Sequence, residues 1–246
     1  MKNHNLTLAF DVGGTLLTFD LAKLAQAYVD ACAKHGIALN LNATRAMVEE
    51  LELELPARSR ERQISLEAGY GQGFWVDFYA EGFRRLGVER DMTDAAVEIT
   101  RHFQRAEFET LYSDVQPALD TLAALHIPLG ILSNFSPNCE DVLRLMGIHG
   151  YFSFFVVSAL AGVEKPDPRI FELMVHSANR PRSEIIYIGD SLFHDVEGAA
   201  RAGIAAILVD RRDRYPNFEG MRVRNLGELT AYVEKEGNAN STRKGA

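Results

Sequence analysis

The sequence predicts an α/β fold in which a parallel sheet, covered by helices, is interrupted by an all-helical insertion. Short apolar runs alternate with amphipathic helical patterns, once at Leu6–Phe10 and four more times after residue 126. Strands that are apolar on both faces are typical of a parallel sheet buried between helices. Between residues 19 and 111, by contrast, the apolar residues follow only helical spacing. The insertion therefore follows the first strand directly.

The composition is that of a globular protein with an acidic surface. Of the 246 residues, 47% are apolar and 24% are charged, which suffices for a sizeable core and for one domain with an insertion. The 34 acidic residues exceed the 26 lysines and arginines and give a formal net charge of −8. This balance argues against nucleic acid or an anionic membrane as the main partner, and the basic cluster at residues 211–214 is interpreted as a solvated loop.

The cysteines and the chain ends favour a cytoplasmic protein. Cys32 and Cys139 both lie within helical patterns, and two such cysteines indicate a reducing compartment and no disulfide framework. No segment resembles a signal peptide or is long enough to span a membrane. Residues 237–246 are polar and aperiodic, and we expect them to be disordered.

Four helices are expected in the insertion. Apolar residues recur at helical spacing in the segments Leu21–Cys32, Ala43–Leu55, Phe74–Leu86 and Val97–Phe108. Gly36 offers a stop after the first of these helices, and Pro56 is expected to end the second. Trp75 and the neighbouring aromatic residues are expected to form the core of the insertion.

Four further strands are expected after the insertion, each followed by a helical pattern. They are the apolar runs Ile127–Leu132, Phe152–Val157, Ile185–Ile188 and Ile204–Val209. In open α/β sheets, binding sites form outside the carboxyl ends of the strands. The polar residues at these ends are Asp11, Ser133, Asn134, Ser158, Asp190 and Asp210. They include carboxylates and hydroxyls that suit phosphoryl chemistry.

Asp11 is the candidate nucleophile of this edge. It ends the first strand and is followed by Gly13, Gly14 and Thr15. Glycines permit positive φ and the close approach of the backbone to an anion, although ordinary turns use the same residues. Ser133 could bind a phosphoryl oxygen in the same place, or simply cap the following helix.

Two later segments offer partners for Asp11. Lys165 lies in an extended loop just before a helix that begins at Asp167 and Pro168, so its ammonium group could reach an anionic centre. A solvated lysine is the alternative. Asp190 ends a strand and Asp195 begins the next helix, so both carboxylates could bind one Mg²⁺ ion.

These residues together resemble the haloacid dehalogenase-like (HAD) superfamily. Its four motifs occur in order at Asp11–Thr15, Ser133–Asn134, Lys165 and Gly189–Asp195, and the sequence is similar to C1-cap subfamily I members known as HAD-like hydrolase domain-containing proteins. The resemblance implies a Rossmann-like parallel-sheet HAD core with an inserted all-helical C1 cap. The expected boundaries are residues 1–18 and 112–236 for the core, 19–111 for the cap and 237–246 for the tail.

The resemblance also implies a role for each motif. Asp11 would form an aspartyl-phosphate, with Ser133 and Lys165 as the other catalytic residues. Substrate-binding residues would be Gly14, Thr15 and Asn134. Ligands of Mg²⁺ would be Asp11, the Gly13 carbonyl oxygen and Asp190, with Asp195 as a further ligand or a close neighbour. The implied protein is a Mg²⁺-dependent phosphatase of a small phosphorylated metabolite, either a monomer or a homodimer.

Gly13 departs from the pattern of HAD phosphatases, which usually carry a second aspartate at this position. That aspartate protonates the leaving group and activates water, and such groups are typically worth about 10²–10⁴-fold in rate. The substrate could have a good leaving group, or Asp20, Tyr70 or His102 could supply the proton. The remaining possibility is a weak or inactive pseudoenzyme that binds a phosphorylated ligand or a partner.

A 2-haloacid dehalogenase is a further alternative, because halide leaves without a proton donor. The retained Asp190 and Asp195 count against it, since dehalogenases of this superfamily work without a metal. Neither a phosphonate hydrolase with a cap lysine nor a sugar kinase with a second phosphate loop fits the motifs. Residues in the insertion that could recognise a substrate are Arg58, Arg60, Arg62, Tyr70 and Trp75.

Overall fold

The chain divides into two compact units. The computed structural model describes residues 6–60, 62–67 and 72–242. One unit, here called the core unit, consists of Met1–Thr18 and Leu111–Ala246, and the other, the insertion unit, consists of Phe19–Thr110. The boundaries between the two units differ from the predicted ones by a single residue, Leu111, while the predicted separate tail, residues 237–246, is grouped with the core unit.

The described part of the chain contains eight strands. They are β1 (Thr7–Phe10), β2 (Leu17–Phe19), β3 (Glu109–Leu111), β4 (Leu129–Ser133), β5 (Phe152–Val157), β6 (Ile185–Gly189), β7 (Ala205–Val209) and β8 (Arg222–Val223). Six of them form a sheet in the order β5-β4-β1-β6-β7-β8, and β2 pairs with β3 in a separate two-stranded sheet. All neighbouring strands of the large sheet are parallel. The predicted α/β fold with a parallel sheet is therefore confirmed.

Ten α-helices accompany these strands in the described residues. They are α1 (Leu21–Ala33), α2 (Leu41–Arg58), α3 (Gln72–Arg85), α4 (Thr93–Gln104), α5 (Val115–Ala124), α6 (Cys139–Leu145), α7 (Ser158–Ala161), α8 (Pro168–Ala178), α9 (Gly198–Arg201) and α10 (Leu226–Thr242). The first four lie in the insertion unit and the other six in the core unit. None of the helices that the structure describes is long and apolar enough to cross a membrane.

Strand β1 lies at the centre of the sheet, where it is buried along its whole length and is apolar from Leu8 to Phe10. Every residue of β1 and of β4 is buried. Phe10 pairs with Ile131 of β4 on one side and with Ile188 of β6 on the other. The carboxyl ends of these three strands therefore meet, and the residues that follow them lie at one edge of the sheet.

Helices α8 and α9 pack closely against one face of this sheet. Asp167 caps α8 by accepting a hydrogen bond from the Arg169 N–H at 2.9 Å, and Pro168 takes the first helical position, as predicted. A Cβ atom at Gly198 would lie 2.8 Å from the ring of buried Phe171. Glycine at this position therefore permits the close packing of the two helices.

The insertion unit has its own apolar core. Tyr28, Phe78, Tyr79 and Phe83 are almost completely buried, and the Tyr28 hydroxyl donates a hydrogen bond to the Tyr79 carbonyl at 2.9 Å. Trp75 packs against this cluster, with its ring stacked on Tyr79 at a centroid distance of 6.0 Å. The aromatic residues of α3 thus form the core of the unit.

Three local predictions were wrong. Helix α2 continues through Pro56, which was expected to end it. The missing N–H of the proline removes only one hydrogen bond, and the Ser59 N–H still donates to the Leu55 carbonyl at 2.9 Å. The short strands β2 and β3 were missed, since three residues are too few to display an alternating pattern. Residues 237–242 belong to α10 rather than to a disordered tail. The N-terminal half of α10 buries Leu226 and Val233, and once this half is helical, each further helical residue costs little free energy.

Candidate active site

Four side chains meet in a buried network at the carboxyl end of β1. Lys165 is 2% exposed, and its Nζ donates hydrogen bonds to Asp11 Oδ1 at 2.7 Å and to Asp195 Oδ1 at 2.6 Å. The Ser133 hydroxyl donates to the same Asp11 oxygen at 2.9 Å. The structure thus brings together the residue that follows β1 and the last residue of β4 with Lys165 and Asp195 from later segments. Among the described residues, the Oδ2 atom of Asp11 has only the longer 3.5 Å contact with the Thr15 hydroxyl.

Asn134 fixes the main chain of Lys165. Its Nδ2 donates to the Lys165 carbonyl at 2.9 Å, and its Oδ1 accepts from the Lys165 N–H at 2.7 Å. These paired bonds hold the loop that presents the ammonium group to Asp11. The side-chain amide of Asn134 is therefore engaged in positioning Lys165, and the predicted contact of Asn134 with a phosphoryl oxygen would have to come from its main-chain N–H.

Asp195 is held at both oxygens. It lies in a π-helical turn, Leu192–Glu197, rather than at the start of an α-helix as predicted. Its Oδ2 accepts from the Ser191 N–H at 2.8 Å, while its Oδ1 binds Lys165. A Cβ atom at Gly189 would lie 2.3 Å from the Asp195 carboxyl carbon, so this close approach requires glycine at the end of β6.

Tyr187 completes the network and was missed in the sequence. Its hydroxyl accepts from Lys165 Nζ at 2.8 Å, donates to the Leu132 carbonyl at 2.7 Å, and lies 3.2 Å from Asp195 Oδ1. The ring is completely buried within β6. A signal was present, because a phenol in an otherwise aliphatic strand needs a partner for its hydroxyl when it is buried.

Three carboxylates lie close enough to bind one cation. Asp11, Asp190 and Asp195 each contribute an oxygen, and these atoms lie within 4.8 Å of one another. A set of carboxylate oxygens matches the preference of Mg²⁺ for hard ligands. Since both oxygens of Asp195 already accept hydrogen bonds, Asp11 and Asp190 are the better ligands. The residues present therefore fit a divalent cation.

The pKa values of the site reflect first its burial and then the charges that lie close together in it. Burial raises the pKa of Asp11 more than the nearby Lys165 ammonium lowers it. Burial, assisted by the neighbouring carboxylates of Asp195 and Asp11, raises the pKa of Asp190 to about 7. Burial alone would lower the pKa of Lys165, but the two carboxylates that it contacts raise it above its usual value. Lys165 is therefore a fixed positive charge and not a general base.

The turn after Asp11 is shaped by the residues predicted to bind substrate. The Gly14 N–H donates to the Leu17 carbonyl at 2.8 Å, and Thr15 is completely buried. Gly14 has a φ of +75°, and a Cβ atom there would lie 2.5 Å from Asp190 Oδ2. Gly13 is exposed, and a Cβ atom there would meet nothing within 4 Å.

The candidate proton donors of the insertion unit have other partners within that unit. The Asp20 carboxylate caps α1 by accepting from the Lys23 N–H at 3.1 Å. His102 contacts the Glu107 carboxylate through Nδ1. Tyr70 lies outside the described residues.

The candidate substrate-binding arginines also lie in the insertion unit. Arg58 pairs with Glu54 at 2.6 Å, and Arg62 makes a bidentate pair with Glu67 at 2.7 Å. Arg60 is exposed just after α2. The guanidinium groups of Arg58 and Arg62 are therefore engaged within their own unit.

The basic cluster at residues 211–214 is not simply a solvated loop. Arg211 makes a bidentate pair with Asp114 at 2.9 and 3.0 Å and donates to the Thr15 carbonyl at 2.8 Å. Arg214 Nη2 contacts Asp190 Oδ2 at 3.0 Å. The charged run looked solvated because its partners lie far away in the sequence and become neighbours only in the folded sheet.

Curated relatives of this chain include phosphatases. A glyceraldehyde 3-phosphate phosphatase of Methanopyrus kandleri is 32% identical over 210 residues, which are 79% of this chain and 89% of the relative. A phosphoserine phosphatase of Thermus thermophilus is 27% identical over 240 residues, or 90% and 95% of the two chains. The haloacid dehalogenase-like hydrolase domain-containing protein 3 of Xenopus laevis is 28% identical over 209 residues, or 82% and 83%.

Solved structures with the same fold include a hydrolase and a dehalogenase. The HAD-hydrolase YfnB of Bacillus subtilis, in a structure bound to magnesium, has a TM-score of 0.70 at 20% identity and covers 93% of this chain and 98% of its own. The L-2-haloacid dehalogenase of Xanthobacter autotrophicus has a TM-score of 0.66 at 20% identity, with the same coverage. At these identities the likeness concerns the fold alone. A family model described as haloacid dehalogenase-like hydrolase matches residues 6–203. This match and the Methanopyrus relative confirm the family inferred from the four motifs, and the chain belongs to the haloacid dehalogenase-like hydrolases.

Proposed function

We propose that this protein is a Mg²⁺-dependent phosphatase that acts on a small phosphorylated metabolite through Asp11. The observation that carries the proposal is the contact of Lys165 with both Asp11 and Asp195, with Asp190 beside them. This arrangement supplies a nucleophile, a fixed positive charge and a set of carboxylates for a cation. The relatives named as phosphatases support the same chemistry.

In the first step, Asp11 attacks the phosphorus atom of the substrate. Its Oδ1 is occupied by Ser133 and Lys165, whereas its Oδ2 is the less engaged oxygen. One carboxylate oxygen forms a bond to phosphorus while the bond from phosphorus to the leaving oxygen breaks, and an aspartyl-phosphate results. Water then hydrolyses this acyl phosphate, which releases inorganic phosphate and restores the carboxylate.

Lys165 and Ser133 prepare the nucleophile. The buried ammonium group offsets the charge of Asp11 as the anionic phosphoryl group approaches, and the hydroxyl fixes the rotation of the carboxylate. Asp11 and Asp190, with the main-chain carbonyl of Gly13 and with Asp195 close by, would hold Mg²⁺. The ion would neutralise the phosphoryl oxygens.

Gly13 constrains the substrates that can be used efficiently. It offers no carboxyl group to protonate a departing alkoxide. The carboxylate of an acyl phosphate and the nitrophenolate of p-nitrophenyl phosphate leave without protonation, so we expect such substrates to be hydrolysed faster than alkyl phosphates.

The proposal is tested by phosphate release from acetyl phosphate and p-nitrophenyl phosphate, with Mg²⁺ or with EDTA. We expect turnover by the wild type with Mg²⁺, loss with EDTA, and a fall of about 10³-fold or more in Asp11→Asn. Metal-independent halide release from 2-haloacids would overturn the phosphatase assignment. A wild type that binds phosphate but is inert with both substrates would favour the binding role of a pseudoenzyme, particularly if Gly13→Asp gains activity.

A further inference from the structure

We propose that Arg214 is a positioning residue that holds Asp190 in the orientation in which it binds Mg²⁺. The inference rests on the metal dependence proposed above. Arg214 Nη2 donates to Asp190 Oδ2 at 3.0 Å and lies 3.3 Å from the main-chain carbonyl oxygen of the same residue. One guanidinium group thus contacts both the side chain and the main chain of Asp190, which limits rotation of the carboxylate.

The loop that carries Arg214 is itself anchored by a buried carboxylate. Asp210 is completely buried, and its Oδ1 accepts from the Arg214 N–H at 2.8 Å. Its Oδ2 accepts from the Tyr215 N–H at 2.8 Å and from Arg222 at 2.9 Å. The main chain at Arg214 is therefore fixed at the end of β7, and its side chain reaches Asp190 from a defined position.

Electrostatic repulsion within the site explains why Asp190 needs such a partner. The three carboxylates of the site repel one another, and Lys165 holds Asp11 and Asp195 but makes no hydrogen bond to Asp190 within the described structure. The Asp190 side chain is 24% exposed, so without a restraint it could turn towards solvent. Arg214 opposes this movement. The side chains of Lys165 and Arg214 thus hold the three carboxylates close together.

Gly14 lies directly against the carboxylate of Asp190. A Cβ atom at Gly14 would lie 2.5 Å from Asp190 Oδ2, the same oxygen that Arg214 contacts. The Oδ1 atom of Asp190 accepts no hydrogen bond from the part of the chain that the structure describes. Arg214 therefore engages one oxygen and leaves the other for the cation.

Mg²⁺ binding to the metal-free protein, measured by isothermal titration calorimetry without substrate, tests this role. We expect Arg214→Ala to weaken Mg²⁺ binding by about tenfold or more, as loss of a group that orients a metal ligand does. Arg214→Lys keeps the charge but cannot make both contacts, so its affinity should be intermediate. Arg212→Ala is the matched control, since it removes the same charge from an exposed side chain of the same loop and should bind Mg²⁺ like the wild type.

The direction in which the Mg²⁺ affinity changes in Arg214→Ala distinguishes a positioning role from simple charge repulsion. If Arg214 merely repelled the cation, Arg214→Ala would bind Mg²⁺ as tightly as the wild type or more tightly, and the inference would be overturned. A wild type that takes up no Mg²⁺ would overturn the metal dependence of the proposed function as well. Melting curves in EDTA that match between Arg214→Ala and Arg212→Ala would exclude a folding defect, and Arg214→Lys gives a second reading of the same contact.

Discussion

Replacing Gly13 by aspartate should increase the hydrolysis of alkyl phosphates. A Cβ atom at this position meets nothing within 4 Å, and Gly13 is not among the residues with positive φ. An aspartate can therefore be accommodated in the existing backbone, two residues after the nucleophile Asp11. Its carboxyl group would supply the proton that a departing alkoxide needs.

The size of the gain follows from what general acid catalysis contributes. Such a group is worth about 10²–10⁴-fold, which corresponds to about 3–5 kcal/mol of the activation barrier. The full effect is expected only for a poor leaving group. Acetate and p-nitrophenolate leave as anions, so their release should accelerate much less.

The assay compares kcat/KM for acetyl phosphate, p-nitrophenyl phosphate and glycerol 3-phosphate with Mg²⁺ present. This parameter reports the steps up to departure of the leaving group, so a change in hydrolysis of the aspartyl-phosphate does not affect it. Gly13→Asn is the control, because it has the same shape without an acidic proton. Equal gains on all three substrates, or an equal gain in Gly13→Asn, would refute the reasoning.

Three further predictions concern the buried charges and the glycines of the protein. Lys165→Met leaves two carboxylates without their shared cation, so the free energy of unfolding should fall by about 3–5 kcal/mol in urea denaturation, and a loss below about 1 kcal/mol would contradict this. Gly14→Ala and Gly36→Ala both place alanine at positive φ, so both should lower the melting temperature. Only the Cβ atom at position 14 meets Asp190, so calorimetry should find weaker Mg²⁺ binding in Gly14→Ala alone. Burial raises the pKa of Glu109 from 4.5 to about 7, so the folded state binds the proton of this carboxyl group more tightly than the unfolded state does. The free energy of unfolding should therefore fall by up to about 3 kcal/mol as the pH rises from 4.5 to about 7. Glu109→Gln should lose this part of the pH dependence, and an unchanged profile of unfolding against pH would disprove the assignment.

The ends of the strands could be located from the sequence alone. Uninterrupted apolar runs identify buried parallel strands, and the topology of such sheets brings their carboxyl ends together. Asp11, Ser133 and Asp190 therefore lie at one edge as expected. Lys165 was harder to place, and only the proline-rich helix start beside it indicated that its loop was fixed.

The remaining partners depend on contacts between segments that are distant in the sequence. The hydroxyl of Tyr187 and the guanidinium group of Arg214 form hydrogen bonds with residues that become neighbours only in the folded chain. Local patterns record burial and periodicity but not which carbonyl or carboxylate a side chain reaches. Charged runs are usually solvated, and for this reason the arginines in the loop after β7 were interpreted as solvated. Their ability to pair with Asp114 and Asp190 could not be recognised from the sequence.

The balance of charge at the site links the metal to the substrate. When all of them are ionised, Asp11, Asp190 and Asp195 contribute three negative charges, while Lys165 and Arg214 contribute two positive charges. These five groups are then negative overall and would disfavour a phosphate dianion, whereas a divalent cation would make the site positive. Because Arg214 adds positive charge and contacts only one oxygen of Asp190 in the described structure, it would favour a phosphate anion and still leave a ligand for the proposed cation. The side chain that we propose as the positioning group for the metal ligand would thus also help the loaded site to attract phosphate.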